Sequence, residues 1–207
     1  MQPPESKTGV GLAPPPSQHP AGPLRMQIDK VEADLVRRAM SGDREAFGQL
    51  MERYAGSARR LCRAILRDPE DADDAAQDAF LSAWVKLGQY DPRRPLGPWL
   101  MRIVANAAKD RRRRREVRRT DELSESMPSS QAGPDRETDR RLLEEELQNA
   151  LDELPVRYRA AVVLYDVEGY SHAEIAQIIG VPEGTVRSDV FHARRMLRQA
   201  MADWKEN

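Results

Sequence analysis

Large apolar residues recur every three or four positions along two long stretches of the chain, residues 28–119 and 139–207. This spacing places them on one side of a helix. No stretch shows the alternation of apolar and polar residues that is typical of a half-buried β-strand. The pattern therefore predicts an all-α protein made of two small helical domains.

The segments outside these helical stretches have a different composition. Residues 1–27 contain seven prolines and three glycines but few large apolar residues. Residues 120–138 are rich in serine, proline, glycine and charge. Such segments cannot bury enough surface to offset the entropy that is lost on ordering. We therefore expect a disordered extension over residues 1–27 and a flexible linker over residues 120–138, which joins the domains 28–119 and 139–207.

The sequence from Ser171 to Glu183 has the signals of two helices joined by a tight turn. Ser171 and Glu174 have the spacing of a capping box, in which each side chain bonds the backbone N–H of the other residue. Gly180 is suited to the left-handed conformation that ends a helix, and Pro182 suits the first turn of the next helix. The C-terminal domain is therefore predicted to contain a helix-turn-helix.

The second helix of this motif divides into an apolar and a polar side. The apolar residues recur at spacings of four and three and should pack inward: Val186, Val190, Ala193 and Leu197. The other side and its flank are polar and basic with one aromatic: Arg187, Ser188, Phe191, His192 and Arg195. In a major groove, arginine can bond guanine and an apolar group can contact the thymine methyl. This side favours the reading of duplex DNA; the alternative is a surface helix whose charges are merely solvated.

Two helices of the N-terminal domain also present distinctive outer sides. The helix that begins at Asp68-Pro69 carries carboxylates, an amide and an exposed leucine: Asp74, Gln77, Asp78 and Leu81. Such a side is typical of a protein-binding surface. The helix that begins near Pro98 carries a basic stripe with an amide and a neighbouring aromatic: Trp99, Arg102, Asn106, Lys109 and Arg113. Cations of this kind can hold phosphates while an aromatic ring stacks on an unpaired base.

Charge and cysteine content narrow the class of protein further. Residues 68–78 hold six acids and no base, and residues 109–119 hold eight bases and two acids. One surface therefore suits a basic partner and another suits an acidic polymer. The single cysteine, Cys62, excludes an internal disulfide and is expected to be buried. No cluster has metal-ligand spacing and no apolar run approaches the ~20 residues of a membrane span, so we expect a cytoplasmic protein without a metal or cofactor.

Three stretches of the sequence stand in a characteristic order. They are residues 74–84 (DAAQDAFLSAW), residues 98–110 (PWLMRIVANAAKD), and a group formed by Leu154-Pro155 with residues 168–171 (EGYS), 174–176 (EIA) and 184–188 (GTVRS). Together they resemble the extracytoplasmic-function (ECF) group of bacterial RNA polymerase sigma factors, which includes the RpoE-like proteins. The resemblance covers about residues 31–119 and 139–204.

This resemblance implies a protein without catalytic residues or cofactors that gives RNA polymerase its promoter specificity. Residues that match the family's polymerase-binding helix would bind the coiled coil of the largest subunit of core RNA polymerase: Asp74, Gln77, Asp78 and Leu81. Loop 88–95 would capture a flipped base of the minus-ten element, and nearby residues would contact this DNA: Trp99, Arg102, Asn106, Lys109 and Arg113. The minus-thirty-five element would be read by Thr185, Arg187, Ser188, Phe191, His192 and Arg195. An anti-sigma factor is a further partner that the family implies.

Two positions depart from the family's motifs. Leu96-Gly97-Pro98 stands where the family usually has an aromatic residue three positions before the tryptophan, which changes the expected geometry of the base-capture loop. Asp189 stands where a basic residue often follows Val-Arg-Ser. A carboxylate near the DNA groove would repel phosphate or prefer a cytosine amine, so we expect an unusual minus-thirty-five preference.

Two other classes of protein compete with this interpretation. A stand-alone helix-turn-helix regulator would explain the C-terminal domain, but neither the carboxylate–leucine side nor the tryptophan–arginine helix. A metal-dependent nuclease would use the acids of residues 68–78, but these have no neighbouring histidine and no second carboxylate cluster. A regulator should bind duplex promoter DNA by itself, whereas a sigma factor should direct transcription only together with core enzyme.

Overall fold

The computed structural model describes residues 30–121 and 137–206, with side-chain contacts for residues 30–117 and 142–202. The helices are α1 (Lys30–Met40), α2 (Arg44–Leu66), α3 (Pro69–Lys86), α4 (Leu96–Asp121), α5 (Glu137–Glu153), α6 (Val156–Val162), α7 (His172–Ile179) and α8 (Glu183–Glu206). A 3₁₀ turn (Leu87–Gln89) follows α3 and a π turn (Val163–Val167) follows α6. Within the described ranges every regular element is helical, which confirms the all-α prediction. The predicted extension and residues 122–136 of the predicted linker lie outside the described residues.

Side-chain caps fix the ends of several helices where the sequence predicts them. Asp68 accepts a hydrogen bond from the N–H of Asp71 at 3.0 Å at the start of α3. The capping box of α7 is formed, because Ser171 Oγ accepts from the N–H of Glu174 at 3.3 Å and Glu174 accepts from the N–H of Ser171 at 2.8 Å. Gly180 ends α7 in the left-handed region, with φ 77°. Helices α7 and α8 thus form the predicted helix-turn-helix.

Helices α1–α4 form an N-terminal module in which α2, α3 and α4 pack against one another. Leu50, Leu61 and Leu100 are fully buried in its core. Cys62 is fully buried as well, which confirms the expectation for this residue, and burial raises the pKa of its thiol to about 12. In the C-terminal module, α8 packs against α5, α6 and α7.

The two modules pack against each other, and most of their buried residues form one continuous cluster. Helix α4 contacts α7, and α2 contacts α6 and the π turn. Because α4 is covered from two directions, it buries Met101, Ala105 and Ala108 as well as Leu100 and Val104. Ile103 and Ala107 are only partly buried.

Ser171→Ala tests the capping box of α7. Loss of the hydroxyl leaves a backbone N–H in the first turn without its acceptor, so we expect the free energy of unfolding to fall by about 1 kcal/mol. Urea denaturation followed by circular dichroism measures the change, with Ser188→Ala, at an exposed position inside α8, as the control. Equal stability of the two variants would show that the cap contributes nothing.

Candidate functional site

The carboxylate–leucine side of α3 is exposed as predicted. Leu81 is 68% exposed, and Asp74, Gln77 and Asp78 are also exposed. A groove of about 460 Å³ lies beside them and is lined by Arg44, Phe47, Gln77, Phe80, Leu81 and Trp84. The rings of Phe47 and Trp84 meet edge to face in it, with centroids 4.9 Å apart. An apolar groove bordered by carboxylates can accept an apolar side chain and a nearby cation from a partner.

The acidic residues 68–78 and the basic residues 109–119 do not form separate surfaces, in contrast to the sequence-based expectation. Arg111 of α4 binds Asp71 at 2.7 Å and Asp74 at 2.6 Å on α3. Arg115 binds Asp71 at 2.8 Å and Asp68 at 3.3 Å. The packing of α3 on α4 brings the two runs together, so part of each charge is neutralised within the chain. Asp78 is engaged more weakly than Asp68, Asp71 and Asp74, because its carboxylate lies 4.0 Å from Arg111.

Three residues of the predicted stripe on α4 face solvent, whereas Trp99 and Lys109 are only partly exposed. Arg102, Asn106 and Arg113 are exposed. Lys109 is only partly exposed, because its Nζ donates a hydrogen bond of 2.6 Å to the carbonyl of Ile179 at the end of α7. Burial lowers the pKa of Lys109, and the charge of Arg102 lowers it further. The structure therefore holds the amine of Lys109 against the end of α7, and only part of this side chain is exposed.

The loop before α4 is held by its own side chains. Asp91 accepts two hydrogen bonds from the Arg93 guanidinium, at 2.9 and 3.0 Å, and the hydrogen bond from Arg93 lowers the pKa of Asp91 to about 2. The hydroxyl of Tyr90 donates to the carbonyl of Arg94. The Tyr90 ring is tilted against Trp99, with centroids 5.1 Å apart. An aromatic pair thus stands at the start of α4 although position 96 holds a buried leucine.

The outer side of α8 is polar and accessible as predicted. Arg187 is 66% exposed and bonds Glu183 at 2.6 Å. Phe191 is 48% exposed. His192 is partly exposed and stacks on Tyr158 of α6, with centroids 5.8 Å apart. Ser188 and Arg195 are exposed and Thr185 is partly exposed, while Val186, Val190 and Ala193 are buried.

The expectation that Asp189 lies near the DNA groove is wrong. Asp189 is 1% exposed, and its carboxylate forms an ion pair of 2.7 Å with Arg157 of α6. It follows Val186 by three residues and precedes Ala193 by four, so it belongs to the inner side of α8. The helical spacing itself carried this signal. The residue joins α8 to α6 and does not face a ligand.

Neither a metal site nor a membrane span is found in the described part of the chain. No group of three or more His, Cys, Asp or Glu side chains in these ranges could hold a metal ion. None of the described helices is long and apolar enough to cross a membrane.

Two family models match the chain. The model described as Sigma-70 region 2 matches residues 50–118, from α2 to α4. The model described as Sigma-70, region 4 matches residues 144–197, from α5 to α8. Two helical modules of these kinds, in this order, define the sigma class of RNA polymerase subunits.

Individual relatives narrow the class to one family. ECF RNA polymerase sigma factor SigM of Mycobacterium tuberculosis is 39% identical over 92% of this chain and 94% of its own length. RNA polymerase sigma factor NccH of Alcaligenes xylosoxydans xylosoxydans is 35% identical over 83% and 95%. The structure of CnrH in complex with the cytosolic domain of CnrY aligns with a TM-score of 0.63 at 27% identity, covering 84% of this chain and 98% of CnrH. The chain belongs to the extracytoplasmic-function family of RNA polymerase sigma factors, and it directs transcription initiation.

The pair of Asp189 and Arg157 can be tested through stability. Asp189→Ala should lower the free energy of unfolding by about 1–3 kcal/mol, because it removes a buried charge-assisted contact. Arg157→Ala should cost at least as much, since it leaves the buried carboxylate without its cation. Urea denaturation of both single variants and of the double variant measures the coupling. Strictly additive losses would show that the two side chains do not interact.

Proposed function

We propose that this sigma factor acts through three surfaces and has no catalytic activity of its own. Residues 28–119 bind core RNA polymerase and the minus-ten element, and residues 139–207 bind the minus-thirty-five element. The observation that carries this proposal is the pair of unlike outer sides on α3 and α4 within one module. A stand-alone regulator needs neither of them. The site of action is the cytoplasm, where the polymerase and the chromosome are.

The polymerase-binding surface is the side of α3 that carries Asp74, Gln77, Asp78 and Leu81. Its partner is the coiled coil of the largest polymerase subunit. Leu81 and the adjoining groove would take an apolar side chain of the partner, and Asp78 would pair with a basic one. Asp74 contributes less, because Arg111 already neutralises part of its charge.

Asp78→Lys tests this surface against a matched control on the same helix. Asp78 and Asp73 are both exposed, at 64% and 56% of their side-chain surface, but Asp73 faces Arg59 of α2 at 3.2 Å. Asp78→Lys should weaken binding to core polymerase by about tenfold or more, because an opposed charge pair becomes a like-charge pair. Asp73→Lys should leave binding within about twofold. Titration of core enzyme with fluorescently labelled protein measures both, and equal affinities would count against this side of α3.

The minus-ten surface is the solvent side of α4 together with the loop before it. Arg102 and Arg113 would hold backbone phosphates, Asn106 and Lys109 would contact neighbouring DNA, and Trp99 would face the unpaired strand. Extrusion of a base costs about a few kcal/mol of stacking and pairing. The hydrogen bonds between Asp91 and Arg93 support a loop that is ordered before DNA binds. Little further free energy is then needed to order the protein when the base is extruded.

The minus-thirty-five surface is the outer side of α8. Arg187 and Arg195 would reach guanine edges or phosphates, and Phe191 would contact a thymine methyl. Thr185, Ser188 and His192 complete this side. The ring of His192 rests on Tyr158, which supports a fixed orientation in the groove.

Run-off transcription from genomic fragments with core polymerase tests the whole proposal. The protein should redirect initiation only in the presence of core enzyme. Arg187→Ala should reduce use of the upstream element about tenfold or more, since one good base contact is worth ~1–3 kcal/mol. Arg198→Ala, at an exposed position further along α8, is the control. Tight and specific binding of duplex DNA by the chain alone would instead support a stand-alone regulator.

An anti-sigma factor is a proposed further partner. The aligned CnrH structure was solved with the cytosolic domain of CnrY. A chain of the same fold and family offers the same kind of surface to such a protein. Co-purification of the tagged protein from its own host, followed by mass spectrometry, would identify it.

A further inference from the structure

Three aromatic rings form a continuous row across α6 and α8. Tyr158 of α6 stacks on His192 of α8, with centroids 5.8 Å apart and an angle of 17° between the rings. Phe191 meets His192 edge to face, with centroids 5.5 Å apart and an angle of 75°. Phe191 is exposed, and Tyr158 and His192 are partly exposed. The row therefore leads from the proposed base-reading side of α8 to a helix that carries none of the DNA contacts proposed above.

The position of Tyr158 is fixed by its neighbours on both helices. The guanidinium of Arg157 lies 5.9 Å from the centroid of the Tyr158 ring, and it also forms the ion pair of 2.7 Å with Asp189 of α8. Asp189 precedes His192 by three positions, so the two are neighbours on the surface of α8. Two adjacent side chains of α6 thus hold α8 one turn apart. The buried apolar residues against which Tyr158 packs are Leu154, Val162 and Ala193.

The polar atoms of Tyr158 and His192 are free to bind a ligand. Among the described residues, neither the Tyr158 hydroxyl nor a ring nitrogen of His192 has a hydrogen-bond partner. In the same part of the chain, the buried side-chain polar atoms without a partner belong to Arg159 and Asp189. The Tyr158 hydroxyl and the His192 nitrogens therefore reach solvent. A phenol hydroxyl donates and accepts hydrogen bonds, and a neutral imidazole has one donor and one acceptor nitrogen.

Duplex DNA offers a different ligand to each of these groups. Base edges lie within the groove that the outer side of α8 would enter, and phosphates line the groove on both sides. The imidazole of His192 can bond a base edge. The hydroxyl of Tyr158, one ring further from Phe191, is suited to a phosphate, because tyrosine is an ordinary phosphate ligand. The charge of Arg157, which is 54% exposed beside the Tyr158 ring, favours a phosphate there as well.

We propose that Tyr158 is a further DNA-binding residue of the minus-thirty-five surface. Its ring fixes the orientation of the His192 imidazole toward the bases, and its hydroxyl donates to a backbone phosphate beside the groove. This inference rests on the role proposed above for the outer side of α8. The two contributions of Tyr158 are separable by experiment, because the first needs the ring and the second needs only the oxygen.

Tyr158→Phe tests the hydroxyl alone, because it keeps the ring. Holoenzyme made from core polymerase and the full-length protein transcribes, at limiting concentration, a promoter found by the run-off experiment and every single-base variant of its upstream element. Tyr158→Phe should lower the yield about threefold to fivefold on all of these promoters alike. The base preference, which is the ratio of yields at each position, should not change, since a phosphate contact carries no sequence information.

Tyr158→Leu tests the ring, because it removes the stack on His192 while keeping an apolar side chain against the core. It should lower the yield as Tyr158→Phe does, and it should also relax the base preference about fivefold at one position of the upstream element. His192→Ala should relax the preference at that same position. The double variant should relax it no further than His192→Ala alone, since both changes remove one contact. A merely structural role for Tyr158 would leave this preference unchanged.

Tyr54→Phe is the matched control for the loss of a hydroxyl. The Tyr54 hydroxyl bonds Glu32 at 2.8 Å within the N-terminal module, so this variant should keep its yield within about twofold and its base preference unchanged.

Arg187→Ala in the same series separates failure of this inference from failure of the proposed function. If Arg187→Ala leaves use of the upstream element unchanged, the proposed minus-thirty-five surface itself is wrong. If Arg187→Ala reduces it, full yield in Tyr158→Phe or an unaltered base preference in Tyr158→Leu overturns the role of Tyr158. Should Tyr158→Leu lose helicity by circular dichroism, an unchanged base preference in His192→Ala refutes the positioning role, and Tyr158→Phe still decides the phosphate contact.

Discussion

Helix α4 is covered by other helices on two of its sides, and most features of the structure depend on this double burial. One side of α4 packs on α2 and α3 of the N-terminal module, and Arg111 on this side bonds Asp71 of α3. The side from Gly97 to Lys109 meets the C-terminal module. The part of α4 that faces solvent includes Arg102 and Asn106, which are proposed to contact DNA. The helix that is proposed to open the promoter is thus also the helix that holds the two modules together.

Features that depend on short sequence separations could be predicted from the sequence. The capping box of Ser171 and Glu174 and the left-handed Gly180 are set by spacings of a few residues, and the structure has them as predicted. The inner side of α8 follows from helical periodicity in the same way, and the same rule places Asp189 inside. The position of Asp189 in the family motif suggests the DNA side of α8, whereas its spacing of three residues from Val186 predicts the inner side, where it lies.

Features that depend on distant residues could not be predicted in this way. The bond between Ser57 and Glu168 joins residues 111 positions apart, and that between Lys109 and Ile179 joins residues 70 positions apart. Nothing in the amphipathic pattern of one helix specifies which other helix covers it. The burial of Met101 therefore could not be predicted from the pattern of α4 alone. The assignments of single residues to polymerase or DNA stay predictions. Most of these residues are exposed, whereas Trp99, Lys109, Thr185 and His192 are only partly exposed.

The packing of the two modules affects the two proposed DNA surfaces unequally. On α8, Arg187 and Phe191 are exposed. On α4, Lys109 is held by the end of α7. The contacts between the modules, those of Lys109 with Ile179 and of Glu168 with Arg60, therefore lie beside the proposed minus-ten surface and away from the proposed minus-thirty-five surface.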